Sequence, residues 1–422
     1  MNVAILCIIL SVTATISLKA QVGRIIYTTN SGQLAIAWSP QGDRLAFGGY
    51  DGILTLWDVA ADSVISTIHA STGAINSIAW RPERNEIGYG SGDAIGIWNT
   101  ASGAVTELHG NDKPVNCITW SPNGKLVACA GGHGRKSFRI WDAEQQQQLL
   151  ALDTTFDGTG CNDNVVAWEP GGNGILAAGG CGWMGIRYDP TAGTELGHLD
   201  TWFNNESLHA SIRSLTFSPD GTEFATGHFT NLINIYDAAT LTIKRQVYAD
   251  SDNYEHVLAW SPSGTLLADG NRDGIIRIFD ARTMVLLHAF PAHYGGVTSI
   301  TWSPDGKRMA TCGNNFMVKI WDAETLTSSV AGPVVGESMM SIEPNPVRER
   351  LHIHFAGISP GNTTLLLTDT RGTVVLAAGH EMHGMAGEDV MMDLAGIPSG
   401  MYVLTAQLPG GRIVRRMLEV LH

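Results

Sequence analysis

Seven aromatic-led segments at a near-constant spacing, turn signals between short alternating runs, and a last segment that repeats nothing before it predict an all-β chain. The expected architecture is a seven-bladed β-propeller over residues 21–330, a linker at 331–337, and a small immunoglobulin-like β-sandwich over 338–422. At 422 residues the chain exceeds one ordinary core, so a large repeat array or several folding units are required. With 44% hydrophobic residues against 16% charged it can pack a core, and its 49 glycines point to many tight turns instead of long helices.

The first element is "MNVAILCIILSVTATISLKA", apolar, uncharged before Lys19, and too short to span a bilayer comfortably. It reads as a signal peptide cleaved near Ala20, an N-terminal anchor being the other use of such a stretch. Cys7 lacks the small residues of a lipoprotein cleavage site before it, and no later stretch suits a stable membrane span. Then come the repeats. "AWSPQG" and "LTLWD" are followed by "AWRPER" and "IGIWN", "TWSPNG" and "FRIWD", "AWEPGG" and "GIRYD", "TFSPDG" and "INIYD", "AWSPSG" and "IRIFD", and "TWSPDG" and "VKIWD". The leading aromatics are Trp38, Trp80, Trp120, Trp168, Phe217, Trp260 and Trp302, 40 to 49 residues apart, about one four-stranded blade each. Alternation in "GVTSITW" suits a strand, "SPDGK" a proline-led turn closing a hairpin, and "MVKIW" a third strand. One such sheet cannot bury both faces, so neighbours must stack until a ring closes.

These residues resemble the WD-repeat β-propeller family over about residues 24–330. The resemblance implies that an N-terminal strand completes the last blade, and "GRIIYTT" (Gly23 to Thr29) is placed to pair beside "VKIWD". It also implies a fastener in which a His before the first strand bonds an Asp in the second turn and onward to the Trp. His69, Asp93 and Trp98 supply that set in blade two, blade one has Asp51 and Trp57 without a His, and blade seven offers His293 opposite Asn315. Such pairs recur around a ring as turn fasteners, which argues against acid–base catalysis. In blade four, Cys161 and Cys181 stand near the His and Asp places, and a disulfide between them suits an exported protein. Cys117 and Cys129 flank "SPNG" roughly opposite each other; with Cys312 they read as buried small residues, a bridge between the first two being the alternative.

No catalytic motif emerges. "GGHGRKS" precedes a strand where a phosphate loop needs a helix N-terminus, and no G-x-S-x-G occurs. In "LHIHF", Leu351, Ile353 and Phe355 are expected to face a core and His352 and His354 solvent, so neither these nor His380 and His383 are assigned a metal; no cofactor is expected. A net charge of -14, with no basic run, excludes a phosphate-tracking nucleic-acid surface. Binding remains. Loops entering the first strands and loops joining second to third strands share one face of a propeller, and they carry Tyr50, His133, Arg135, Trp183, Trp202, Phe203, Tyr254, Tyr294 and Phe316. A recognition patch for a protein or peptide is expected around Trp183, Trp202 and Phe203, with packing of that insert against its own blade as the alternative.

The last segment runs "PNP", "LHIHF", "LTDTRGTVV", "DLAGIPSGMYVLTAQ" and "GGRIVRRMLEV". That order resembles the type A C-terminal sorting domain of the type IX (Por) secretion system of Bacteroidetes-type bacteria. Pro344, Asn345, Pro346, Asp369, Gly372, Leu394, Gly400 and Tyr402 match in sequence, while "IEPNP" departs from the aromatic-led start often seen. The resemblance implies export through the outer membrane, the secretion machinery as a partner, and a secreted or cell-surface location. The expected function is a non-enzymatic interaction scaffold; the alternative is a secreted propeller enzyme or carbohydrate-binding protein with its site at the central channel.

Overall fold

The computed structural model describes residues 23–323 and 340–420, apart from 29–30, 111–113, 132–137, 153–164, 179–184, 200–201, 204–205, 208–211, 229–231, 250–255, 344–346, 356–361, 370–373, 382–388 and 408–412. Up to residue 323 the described residues form seven four-stranded antiparallel sheets and one two-stranded ribbon. In the first six, consecutive strands are neighbours: sheet one is Gln33–Trp38, Arg44–Gly49, Ile53–Asp58 and Ser63–His69, and sheet six ends with Leu286–Pro291. Sheet seven takes Val297–Trp302, Arg308–Gly313 and Met317–Asp322 and borrows its fourth strand, Arg24–Thr28, from the start of the chain. Arg24 lies opposite Ile320 and Thr28 opposite Met317, the pairing expected of "GRIIYTT".

Each repeat folds as it does because its turns are fastened locally. In five of the seven repeats a serine follows the leading aromatic and accepts a hydrogen bond from the backbone of the second strand; Arg81 and Glu169 stand at that place in sheets two and four. Glu223 N donates to Ser218 Oγ at 3.0 Å while Ser218 Oγ donates to Asp220 Oδ1 at 2.6 Å. The same arrangement recurs at Ser121 with Asn123 and Ser303 with Asp305. The glycine that follows, Gly221 at φ 70°, takes the left-handed conformation that a side chain disfavours. At the next turn the aspartate after the second aromatic caps the chain: Asp58 Oδ1 accepts from Ala60 N and Ala61 N, as Asp237 Oδ1 does from Ala239 N and Thr240 N.

The apolar core lies between sheets. Seven clusters each draw on two neighbouring sheets, for example Leu54 and Leu56 with Ile75 and Ile87, or Ile233 and Ile235 with Trp260 and Leu267. The cycle closes where Ala310, Val318 and Ile320 of sheet seven pack on Trp38, Leu45 and Phe47 of sheet one. Indole donors add a second thread. Trp80 Nε1 donates to Ala37 O, Trp120 to Ala79 O, Trp168 to Thr119 O, Trp260 to Thr216 O and Trp302 to Ala259 O, at 3.1 to 3.3 Å. Two joints differ. Phe217 brings no N–H to the joint of sheets four and five, and Trp38 Nε1 is buried without a partner at the joint of seven and one. There Thr298 Oγ1 donates to Gln33 O at 2.6 Å, and the Arg308 guanidinium stands 5.1 Å over the Trp38 ring.

Residues 340–420 form two further sheets, Met340–Glu343, Arg350–Phe355 and Asp389–Asp393 in one, and Val374–Glu381, Asn362–Asp369, Gly400–Gln407 and Ile413–Val420 in the other. One core, including Leu351, Ile353, Leu365, Leu367, Tyr402, Leu404 and Leu418, draws on both. Leu351 and Ile353 are buried and His352 exposed, as strand alternation requires. No helix among the described residues is long and apolar enough to cross a membrane.

Candidate interaction face

The cysteine pairing weighed for Cys117 and Cys129 is corrected by the strand register. Cys117 lies opposite Ala130, and Cys129 opposite Ile118. One residue of offset sends the two side chains to opposite faces of their sheet, and both are free thiols, as is Cys312. Burial pushes Cys129 and Cys312 up to about 12 and raises Cys117 as well, so all three are protonated at neutral pH.

The blade-two fastener also fails. His69 is the exposed last residue of the outer strand of sheet one, opposite Ile53; Asp93 is exposed; and Trp98 Nε1 is buried with no hydrogen-bond partner. One reason is register: Ser71, whose N–H donates to Gly52 O as that of His293 does to Gly274 O, takes the histidine's place, two residues beyond His69. The other sits on the second strand. In sheet seven Thr311 stands between the histidine and the tryptophan: Trp321 Nε1 donates to Thr311 Oγ1 at 2.9 Å, and Thr311 lies 2.7 Å from His293 Nε2. The corresponding residue of sheet two is Tyr89, whose ring fills that space so tightly that a Cβ on Gly96 would fall 1.9 Å from it. Tyr89 Oη bonds Ala70 O instead, at 3.3 Å, and burial pushes it up to about 12.

In sheet seven the relay is complete. Burial, with the nearby Lys319 ammonium adding to it, pushes His293 down to about 3, so the ring is neutral. Its partners then fix the tautomer: Nε2 accepts from the Thr311 hydroxyl, and Nδ1–H donates to Asn315 Oδ1 at 2.8 Å. Sheet six has a different fastener, which the repeat alignment missed. His256 Nδ1 and Asp269 Oδ1 lie 2.7 Å apart, both fully buried, with Asp269 at the Thr311 place on its strand. Comparing that one strand position across the repeats was the signal that could have found it.

The sheet-seven relay holds two exposed rings. Tyr294 follows His293, Phe316 follows Asn315, and their exposures are 44% and 48%; Tyr50, in the corresponding turn of sheet one, is 60% exposed. The two turns converge over Gly32. Tyr50 N donates to Gly32 O at 3.1 Å, and a Cβ on Gly32 would lie 3.1 Å from the Tyr50 ring and 3.5 Å from Asn314 Oδ1. Asn314 in turn bonds Gly296 O through its N–H and Gly295 O through its amide.

Phe316 is unusual in conformation as well as exposure. It has φ 64°, and the same turn position in sheets one and six holds Gly52 at 69° and Gly274 at 77°. A phenylalanine there costs about 1 kcal/mol relative to glycine. Strain kept at an exposed position points to use.

The centre of the ring is plainer. The residue before each leading aromatic, Ala37, Ala79, Thr119, Ala167, Thr216, Ala259 and Thr301, is half-buried and small, and the half-buried positions two earlier include Ser77, Cys117, Val165, Ser214, Val257 and Ser299. These positions bring no carboxylate or imidazole together, and no metal-binding group of three or more His, Cys, Asp or Glu occurs among the described residues. Arg135, His133, Trp183, Tyr254, Cys161, Cys181, Pro344, Asn345, Pro346 and Gly372 lie outside the described residues, as does the expected signal peptide. Trp202–Phe203 pairs with Glu206–Ser207 as a short ribbon. Gly400 begins its strand, and Tyr402 is buried in the C-terminal core with its hydroxyl donating to Pro398 O at 2.8 Å.

The family model described as WD domain, G-beta repeat matches residues 103–142, 205–237, 255–280 and 284–322, and that of the secretion system C-terminal sorting domain matches 341–418. The chain is a WD-repeat protein with a C-terminal sorting domain. The model of the anaphase-promoting complex subunit 4 WD40 domain matches 6–83. Among curated proteins, the WD-repeat protein is 28% identical over 113 residues to anaphase-promoting complex subunit cdc20 of Dictyostelium discoideum, covering 25% of this chain and 23% of that one. It is 29% identical over 110 residues to WD repeat-containing protein slp1 of Schizosaccharomyces pombe, 25% of this chain and 22% of that one. It is 31% identical over 120 residues to the probable cytosolic iron-sulfur protein assembly protein 1 of Kluyveromyces lactis, 25% of this chain and 35% of that one. The chain thus spans only about a quarter to a third of the relatives' lengths. Its WD aspartates are structural, since backbone N–H donors at their turns hold Asp189 and Asp237 below the usual carboxylate range.

Proposed function

We propose that this WD-repeat protein is a non-enzymatic interaction scaffold, exported by the type IX system through its sorting domain and working at the cell surface or outside the cell. In this reading the seven sheets are the blades of a seven-bladed propeller, and the C-terminal unit is an immunoglobulin-like sandwich. A protein or peptide is held on the face that bears Tyr50, Tyr294 and Phe316. Arg135, Trp183, Trp202, Phe203 and Tyr254 lie on loops expected at the same end and extend that face. The observation that carries the proposal is Phe316, an exposed ring kept in a left-handed turn position where sister sheets use glycine. Small uncharged positions at the ring's centre favour binding over chemistry there.

A single substitution separates binding from stability. Phe316→Gly removes the ring and relieves the backbone, so it is expected to raise stability by about 1 kcal/mol. It should also weaken capture of partners from the source organism's secreted and surface fraction at least tenfold, as loss of an interface anchor of about 1.4 kcal/mol or more does. Capture that survives Phe316→Gly, and the triple change Tyr50→Ala, Tyr294→Ala, Phe316→Gly, would overturn the assignment of this face.

A further inference from the structure

The C-terminal unit has four sheet edges among the described residues, and three of them are guarded. Met340–Glu343 is four residues long and ends in a carboxylate. Asp389–Asp393 has a carboxylate at each end. Ile413–Val420 carries Arg415, Arg416 and Glu419, and Val347 bridges it at Val420. Shortness, charge and cover are the usual means by which an edge strand avoids pairing with a foreign strand.

The fourth edge, Val374–Glu381, is eight residues long and carries its one carboxylate at its last residue, Glu381. It pairs with Asn362–Asp369 on one side only among the described residues, and from Val374 to Gly379 it reads "VVLAAG", without charge or proline. Its one irregularity sits at an end: the register steps from Leu367 opposite Leu376 to Thr368 opposite Val374, which leaves Leu376 through Glu381 in unbroken pairing. Leu376 packs on the core and Val375 is exposed, so the strand is anchored from within. Alternate residues of an antiparallel edge turn both N–H and C=O outward, and this run presents several such pairs to one side.

We propose that the outer edge of Val374–Glu381 is the docking edge of the sorting domain and pairs with a β-strand of the export apparatus. The occupant follows from the unit that bears the edge. A unit matched as a secretion system sorting domain has to be recognised in transit, and backbone pairing at an unguarded edge supplies affinity without demanding a particular cargo. The proposal rests on the export reading above and is tested apart from it.

The test is made in the source bacterium with the full-length chain. Val375→Lys puts a charge on the exposed face of the edge strand, where it leaves the core untouched but opposes a new strand. Export should fall about tenfold with the melting temperature unchanged, while Val375→Thr, uncharged and strand-forming, should be exported like the native chain. A photo-crosslinking residue at 375 should give an adduct with an envelope protein, and one at 416 on the guarded edge should not. Export of Val375→Lys within twofold of native, absence of an adduct at 375, or an adduct with the mass of two copies of this chain would each overturn the proposal. A chain lacking residues 338–422 that is still exported overturns the export reading itself; if that chain is retained while Val375→Lys leaves normally, only the edge assignment falls.

Discussion

The neutral, buried His293 makes the closing sheet acid-sensitive, and the size of the effect can be worked out. Burial and the adjacent Lys319 push His293 from 6.5 to about 3 in the folded chain. A base held below its unfolded value binds its proton more readily in the unfolded state. The stability it permits is therefore whole above pH 6.5 and declines as pH falls toward 3. Between pH 7 and pH 5 the unfolded imidazole gains its proton and the folded one does not. One and a half pH units at 1.36 kcal/mol each amount to about 2 kcal/mol, a sizeable share of a typical domain's 5 to 15 kcal/mol. The window isolates this group from its neighbours: Lys319, lowered to about 8, is charged throughout it, and the carboxylates act below it. The perturbation is His293→Gln, which keeps an amide partner for Asn315 or Thr311 and cannot titrate. Urea unfolding of the mature chain and the variant, followed by tryptophan fluorescence at pH 7 and pH 5, gives the four free energies. The native chain should lose about 2 kcal/mol more than the variant over that interval. Equal losses would refute the account of His293 as a neutral relay.

Two further outcomes follow from the packing. Phe217→Trp should supply the missing indole donor at the joint of sheets four and five, with Ala167 O as acceptor, and stabilise by about 1 kcal/mol; Trp80→Phe should cost about the same, and denaturant midpoints check both. Cys117, Cys129 and Cys312 should resist alkylation in the folded chain and react on unfolding, because burial raises all three thiols; residue-resolved mass mapping that finds native labelling contradicts this.

The repeat period was legible because each turn carries its own chemistry. Serine, glycine and aspartate at fixed offsets satisfy the backbone within a few residues, as at Ser218, Gly221 and Asp237, so the pattern survives in the sequence wherever the turn survives in space. The borrowed strand was legible through the family resemblance, which implies that an N-terminal strand completes the last sheet, and Arg24–Thr28 pairs there with Met317–Asp322. The fasteners were not. His69 lies two residues before the place that His293 fills in sheet seven, and the space beside Trp98 is taken by Tyr89, one side chain on the second strand. The alternative bridge between Cys117 and Cys129 falls to register, since a one-residue offset reverses the face on which a side chain stands, while the reading of free, small residues holds.

The contrast between the two ends of the sheets bears on function. At the end of the Ser–Gly turns and the Asp caps most repeats agree, sheets two and four departing at Arg81 and Glu169, and those residues are spent on holding the backbone. At the other end sheets seven, six and two solve the same problem differently: a His–Thr–Trp–Asn relay in sheet seven, a His–Asp pair in sheet six, a tyrosine in sheet two. A ring whose stability rested on identical fasteners there would have little freedom to vary that surface. Because the inter-sheet clusters and the indole ladder already hold the sheets together, the loop end is released from a structural standard. Phe316 in place of glycine is an instance of that freedom: about 1 kcal/mol of backbone strain is tolerated by sheet seven, and what the substitution adds is an exposed ring beside Tyr294 and opposite the Tyr50 turn.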